Sequence, residues 1–109
     1  MSDIFVTIRN QDGRAMTSVD GIAFITLLAQ DGNKVLAEET VDLFEADAGF
    51  DDLPAGHYTV IVTHGRVEPR SATYDVTISI EDQVIILKFV YLEPERVLLR
   101  IESSVEERL

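Results

Sequence analysis

Apolar side chains recur at every second position over most of this chain, which is the spacing of strands with one face buried and the other wet. Ile4, Val6 and Ile8 alternate with Phe5, Thr7 and Arg9, and the run ends at the turn signal Asn10-Gln11-Asp12-Gly13. Residues 22–29 are almost wholly apolar, and Gln30-Asp31-Gly32-Asn33 joins them to residues 35–41. An Asp-Gly pair between two such runs predicts a hairpin. An acidic passage over residues 42–52 holds Leu43, Phe44 and Phe50, and predicts one short strand. In Leu53-Pro54-Ala55-Gly56 the proline presets φ for the second position of a β-turn and Gly56 suits the fourth. A strand then leaves at Gly56, with Tyr58, Val60 and Val62 on one face and His57, Thr59 and Thr63 on the other.

The loop over residues 64–70 leads to the most regular amphipathic run, in which Tyr74, Val76, Ile78 and Ile80 alternate with Thr73, Asp75, Thr77 and Ser79. Glu81-Asp82-Gln83 turns it into residues 84–92, and Glu93-Pro94-Glu95 breaks the pattern. About seven antiparallel strands at this spacing predict an all-β sandwich over residues 1–92. Its predicted core includes Tyr58, Val60, Val62, Tyr74, Val76, Ile78, Leu87 and Phe89. The remainder, 93–109, is a C-terminal extension that packs on the sandwich or on a partner. It reads two ways: Val97, Leu99 and Ile101 alternate as a strand, whereas Leu98, Ile101, Val105 and Leu109 share one helical face.

Composition narrows the class. With 109 residues and 46% hydrophobic content, a single domain can bury roughly two-thirds of its unfolded surface. The chain has no cysteine, so disulfides, thiolate metal sites and thiol nucleophiles are excluded and the redox compartment stays open. Nine basic against twenty acidic residues give a net charge of −11, which repels phosphate backbones and anionic lipid and argues against nucleic-acid binding. Residues 1–9 lack the basic start and long apolar centre of a signal peptide, and no segment has the length to cross a bilayer as a helix. Membrane insertion is therefore not expected.

The passage over residues 47–60, with Phe50, Leu53, the Pro54-Ala55-Gly56 turn and Tyr58, resembles the hallmark of carboxypeptidase-regulatory-like, or transthyretin-like, β-sandwich domains, which CnaB-type adhesin domains share. The resemblance extends from Ile4 to Leu92 and implies a Greek-key, Ig-like or prealbumin-like sandwich. In that group an aromatic and a leucine before the turn close one end of the sandwich, and the following tyrosine enters the core. A CnaB-type isopeptide bond needs a strand lysine beside an Asn or Asp carbonyl. The first strand has none, while Lys34 sits in the hairpin turn and Lys88 in the middle of the run over 84–92, both read as solvated. The related hydroxyisourate hydrolases would imply a first-strand histidine and a Tyr-Arg-Gly-Ser terminus, and this chain has neither.

The remaining chemistry is sparse. His57 and His64 fall on opposite faces, which disfavours a two-histidine zinc site and leaves each as a turn or rim residue. Asp42, Glu45, Asp47, Asp51 and Asp52 offer oxygen ligands without the spaced calcium loop, and read as solvated charge. No Gly-x-Ser-x-Gly elbow or Gly-rich phosphate loop occurs. A carbohydrate platform would lack tryptophan, with Phe5 or Tyr91 poor substitutes if exposed. Neither a cofactor nor catalysis is expected.

What stands out is the run over residues 84–92. Ile85, Leu87, Phe89 and Tyr91 are assigned to the core because the opposite face carries Lys88, yet that face also shows Val84, Ile86 and Val90. Val84, Ile86, Lys88 and Val90 form the candidate interaction surface, to be covered by the chain's own tail, by a protein partner or by a second copy as a homodimer. The expected function is a non-catalytic structural or protein-interaction module. The alternative is a small-molecule or carbohydrate site among the loops at one end.

Overall fold

The computed structural model describes residues 1–44, 46–79 and 82–107. Glu45 of the acidic passage, Ile80 at the end of the sixth run, Glu81 of the turn that follows it, and Leu109 of the tail's helical face lie outside the described residues. Among the described residues seven strands form within residues 1–92, as expected, and the tail adds an eighth: β1 (Ser2–Asn10), β2 (Ile22–Ala29), β3 (Lys34–Asp42), β4 (Asp47–Leu53), β5 (Gly56–Thr63), β6 (Ser71–Ile78), β7 (Gln83–Leu92) and β8 (Val97–Glu107). They build two four-stranded sheets, ordered β4-β1-β7-β8 and β3-β2-β5-β6, here called sheets A and B.

The local signals act as expected. Gly32 at φ 76° and Asn33 at φ 49° carry the chain from β2 into β3, and the two strands pair antiparallel. At the Pro54 turn the Tyr58 hydroxyl donates to the Pro54 carbonyl at 2.6 Å, so the first inward residue of β5 also fastens the turn that launches it. Tyr58, Val60 and Val62 are buried on the inner side of sheet B, in register with Val76, Leu27 and Ile25 respectively. Sheet A supplies Ile4, Val6, Ile8, Ile85, Leu87 and Phe89 as the opposing layer.

Of the two readings of the tail, the strand is the one that forms: β8 pairs antiparallel with β7 from Gln83↔Glu107 to Leu92↔Val97, because its apolar positions at Leu98 and Ile101 extend the inner face of sheet A beside Tyr91 and Phe89. Two expectations need correction. The sandwich is not wholly antiparallel, since β1 and β7 run parallel from Asp3↔Val84 to Asn10↔Tyr91. Alternation fixes which face a residue takes but carries no information on strand direction, which only hairpin turns supply. Finally, Tyr74 is half-buried rather than buried, because β6 is the edge strand of sheet B and has a neighbour on one side only.

Tyr91 is buried in the core, as the inward assignment of its run required. Its hydroxyl meets no hydrogen-bond partner among the described residues, and burial pushes its pKa up to about 12.

Candidate functional site

The outward side of β7 is less open than the sequence pattern predicts. Val84 stands between Asp3 and Glu106, Ile86 between Phe5 and Ser104, Lys88 between Thr7 and Glu102, and Val90 between Arg9 and Arg100. Val90 is only 2% exposed, so within this row it offers no surface to a partner. It lies at the register shift of the β7–β8 ladder, in register with Arg9 on one side and Arg100 on the other. Val84, Ile86 and Lys88 are half-buried. The tail does not lie across this row. It runs beside it as β8, so its polar residues flank the row within the sheet. Glu102 accepts from Arg100 and sits 4.0 Å from Lys88. The Arg100 hydrogen bond holds the Glu102 carboxyl below the usual carboxylate range. Phe5 fits closely against Gly49, where a Cβ would come within 3.0 Å of its ring. The aromatic thus covers the bare backbone of β4.

The other titratable candidates are dispersed. His57 is exposed on the outer face of sheet B, with Nδ1 3.0 Å from the Thr77 hydroxyl. His64 is buried instead of lying at the rim, and its Nδ1 accepts the Arg66 N–H at 3.0 Å. Lys34 opens β3 and is exposed. Among the described residues no group of three or more His, Asp or Glu side chains could hold a metal ion.

A feature the sequence reading missed lies at one end of the sandwich, where the β1–β2 connection meets the β3–β4 turn. That connection is long, yet it is anchored. The Glu93 carboxylate accepts N–H groups from Thr17 at 3.0 Å and Ser18 at 2.6 Å, and the Asn10 side-chain amide at 3.2 Å. The Gln11 side chain bonds both backbone groups of Glu93. Thus fixed, the connection turns Met16 and Val19 into the core and leaves Asp20 exposed. Opposite it, the Leu43 N–H donates to the Gly21 carbonyl at 3.3 Å, and Asp42 Oδ1 accepts the Phe44 N–H at 2.9 Å. Leu43 is buried by this arrangement, so its neighbour Phe44 is turned out to solvent, 76% exposed.

The result is a cleft of about 230 Å³ lined by Met16, Thr17, Val19, Asp20, Asp42 and Phe44. Next to it on β2, Ile22 and Phe24 are 58% and 43% exposed on the outer face of sheet B, with Ile22 directly opposite Asp42. The adjacent apolar pair Leu43-Phe44 inside an acidic turn was the available signal. Two neighbouring apolar residues in a turn cannot both enter one core.

Glu93 gives this site a pH dependence. Burial raises its carboxyl, but the hydrogen bonds from Ser18, Asn10 and Thr17 outweigh that and hold its pKa below the ordinary carboxylate value. A lowered folded-state pKa contributes stability above the unfolded value that disappears as pH falls through the folded one. The stability difference between the wild-type chain and Glu93→Gln is therefore expected to be largest at neutral pH and to shrink steadily on acidification. Denaturant unfolding across the acid range measures it, and a pH-independent difference would show that the carboxylate charge is not what holds the loop.

No family model matches the chain, and neither a curated protein nor a solved structure matches it.

Proposed function

We propose that this chain is a non-catalytic β-sandwich module that docks another protein through the loop end around Phe44. The observation that carries the reading is the exposure of Phe44, at 76% the highest among the described large apolar side chains, with Ile22 and Phe24 also in solvent on the neighbouring β2. Aromatic side chains ringed by polar residues are the usual energetic centres of protein interfaces. The outer face of β7, with Val84, Ile86 and Lys88 half-buried and Val90 enclosed, is the lesser surface.

The fold reading behind this proposal is a transthyretin-like, Greek-key sandwich. Its support is the chain path: β1 in sheet A, β2 and β3 in sheet B, β4 back in A, β5 and β6 in B, and β7 and β8 in A. Support for a non-catalytic role comes from the placement of the reactive groups. His57, whose ring nitrogen meets the Thr77 hydroxyl, stands on an exposed sheet face away from the cleft.

A second reading is a small-molecule or carbohydrate ligand held at the same end. It is favoured by the open Phe44 ring beside two carboxylates, a combination that can stack on a sugar and accept its hydroxyls. Photocrosslinking separates the two. With a benzophenone amino acid at position 44, protein docking yields one discrete heavier adduct in the native cell. The same group at Thr73, exposed on β6, yields none. Absence of a protein adduct at 44, or equal adducts at both positions, would reject the docking reading.

A further inference from the structure

We propose that the loop-end cleft receives one basic side chain, a lysine or arginine, from the docked protein. This rests on the docking reading and names the chemistry of its anchor. The cleft has an apolar floor, Met16 and Val19, both buried. One wall is the Phe44 ring, and the charged groups at its rim are the carboxylates of Asp20 and Asp42. A side chain that fits this lining is apolar along its stem and cationic at its tip. The stem lies on methionine and valine, the tip reaches the carboxylates, and the aromatic face adds a cation–π contact.

The two carboxylates are held toward the same opening. The Leu43-to-Gly21 backbone bond joins the residues that follow Asp42 and Asp20, and Ile22 pairs with Asp42. Asp42 spends one oxygen on the Phe44 N–H, which fixes its rotamer and leaves its other oxygen for a ligand. Asp20 has no donor among the described residues. The anchoring of residues 17 and 18 by Glu93 means that the cleft is formed before any ligand arrives, which lowers the ordering cost of binding.

Size and donor inventory favour a side chain over a larger ligand. Small-molecule sites commonly run about 300–1,000 Å³, and this cleft is about 230 Å³. Of the lining side chains only Thr17 carries a hydrogen-bond donor, whereas a sugar presents both donors and acceptors around its ring. A net charge of −11 draws cations toward the whole surface, and the cleft supplies the place where one is retained.

The test is a titration of the ¹⁵N-labelled full chain, followed by NMR, with N-acetyl-lysine methylamide and N-acetyl-arginine methylamide. The neutral isostere N-acetyl-norleucine methylamide and methyl glucoside serve as comparisons. The expected result is weak saturable binding of the basic probes, with shifts confined to residues 16–20 and 42–44, and none with norleucine. Asp20→Asn and Asp42→Asn should each weaken it about two- to fivefold, the size of a solvent-exposed ion pair. Phe44→Ala should weaken it by a similar factor. Asp42→Asn keeps an oxygen for the Phe44 N–H, so that variant retains the turn. Equal binding of norleucine, preference for the glucoside, or shifts spread over all the acidic surface and unaffected by Asp20→Asn would each overturn the proposal. A crosslink at position 44 combined with a failed titration would leave the docking reading standing without its basic anchor. A successful titration without a crosslink would mean that the cleft takes a free basic ligand, and would overturn the proposal with the docking reading.

Discussion

Replacing Phe89 by alanine is expected to cost about 3–5 kcal/mol of folding free energy, the range for emptying a fully buried aromatic site. Phe89 is wholly inaccessible, paired in register with Ile8 of β1 on one side and Ile101 of β8 on the other. It therefore occupies the centre of sheet A's inner face, against a layer from sheet B that includes Ile25, Leu27, Val60 and Val62. No neighbour in this layer is long and flexible enough to refill the space, so most of the cavity persists. Domains of this size are stable by only about 5–15 kcal/mol, so the variant should lose a large part of its margin. Urea unfolding measures the loss as a lower midpoint with an unchanged slope. A shift worth less than about 1 kcal/mol would mean that Phe89 is not packed as described.

Ending the chain at Arg96 is the second large effect. It keeps the Glu93 anchor and removes only β8. The strand contributes Leu98 and Ile101 to the inner face, each half-buried, at roughly 1–1.5 kcal/mol apiece. It also pairs with every residue of β7 from Gln83 to Leu92, and ladder bonds contribute about 0.5–1.5 kcal/mol each net. Without it β7 becomes an open edge and Phe89 and Tyr91 lose their cover on that side. The truncated chain is expected to lose its cooperative thermal transition, to bind a hydrophobic dye and to aggregate. A sharp transition near that of the full chain would establish residues 1–96 as an independent sandwich, with β8 an accessory.

The strands were legible because two-residue alternation is a local property. Val60 and Val62 are buried and Thr59 faces out for the reason the bare spacing gives, and Gly32 and Pro54 mark the β2–β3 and β4–β5 turns. The tail was ambiguous because Val97, Leu99 and Ile101 fit the strand period while Leu98, Ile101 and Val105 fit the helical one. In the strand that forms, the register shift of the β7–β8 ladder brings Leu98 and Ile101 to the inner face and leaves Val97 and Leu99 exposed. Only the open inner face of sheet A beside Phe89 and Tyr91 makes the strand the better solution. Parallel pairing of β1 with β7 was invisible, since the partners are far apart in sequence and no turn connects them.

The same limit explains the site. Val90 read as an outward residue by parity, yet it is enclosed where β7 runs between β1 and β8 beside a register shift that its own run does not encode. Phe44 read as one apolar residue in an acidic passage. Its exposure follows from Leu43 taking the inward position and from the Gly21 carbonyl that holds Leu43 there. The cleft beside it needs Glu93, more than seventy positions from Thr17 and Ser18. No spacing rule connects residues at that separation.

The central claim is that the loop end around Phe44, not the outer face of β7, is the docking surface. Placing one photoreactive residue at position 44 and, in a second variant, at position 86 compares the two surfaces in the same cells. The account predicts a discrete protein adduct from position 44 and none from position 86. An adduct from position 86 alone would contradict it and return the interface to the face of Val84, Ile86 and Lys88.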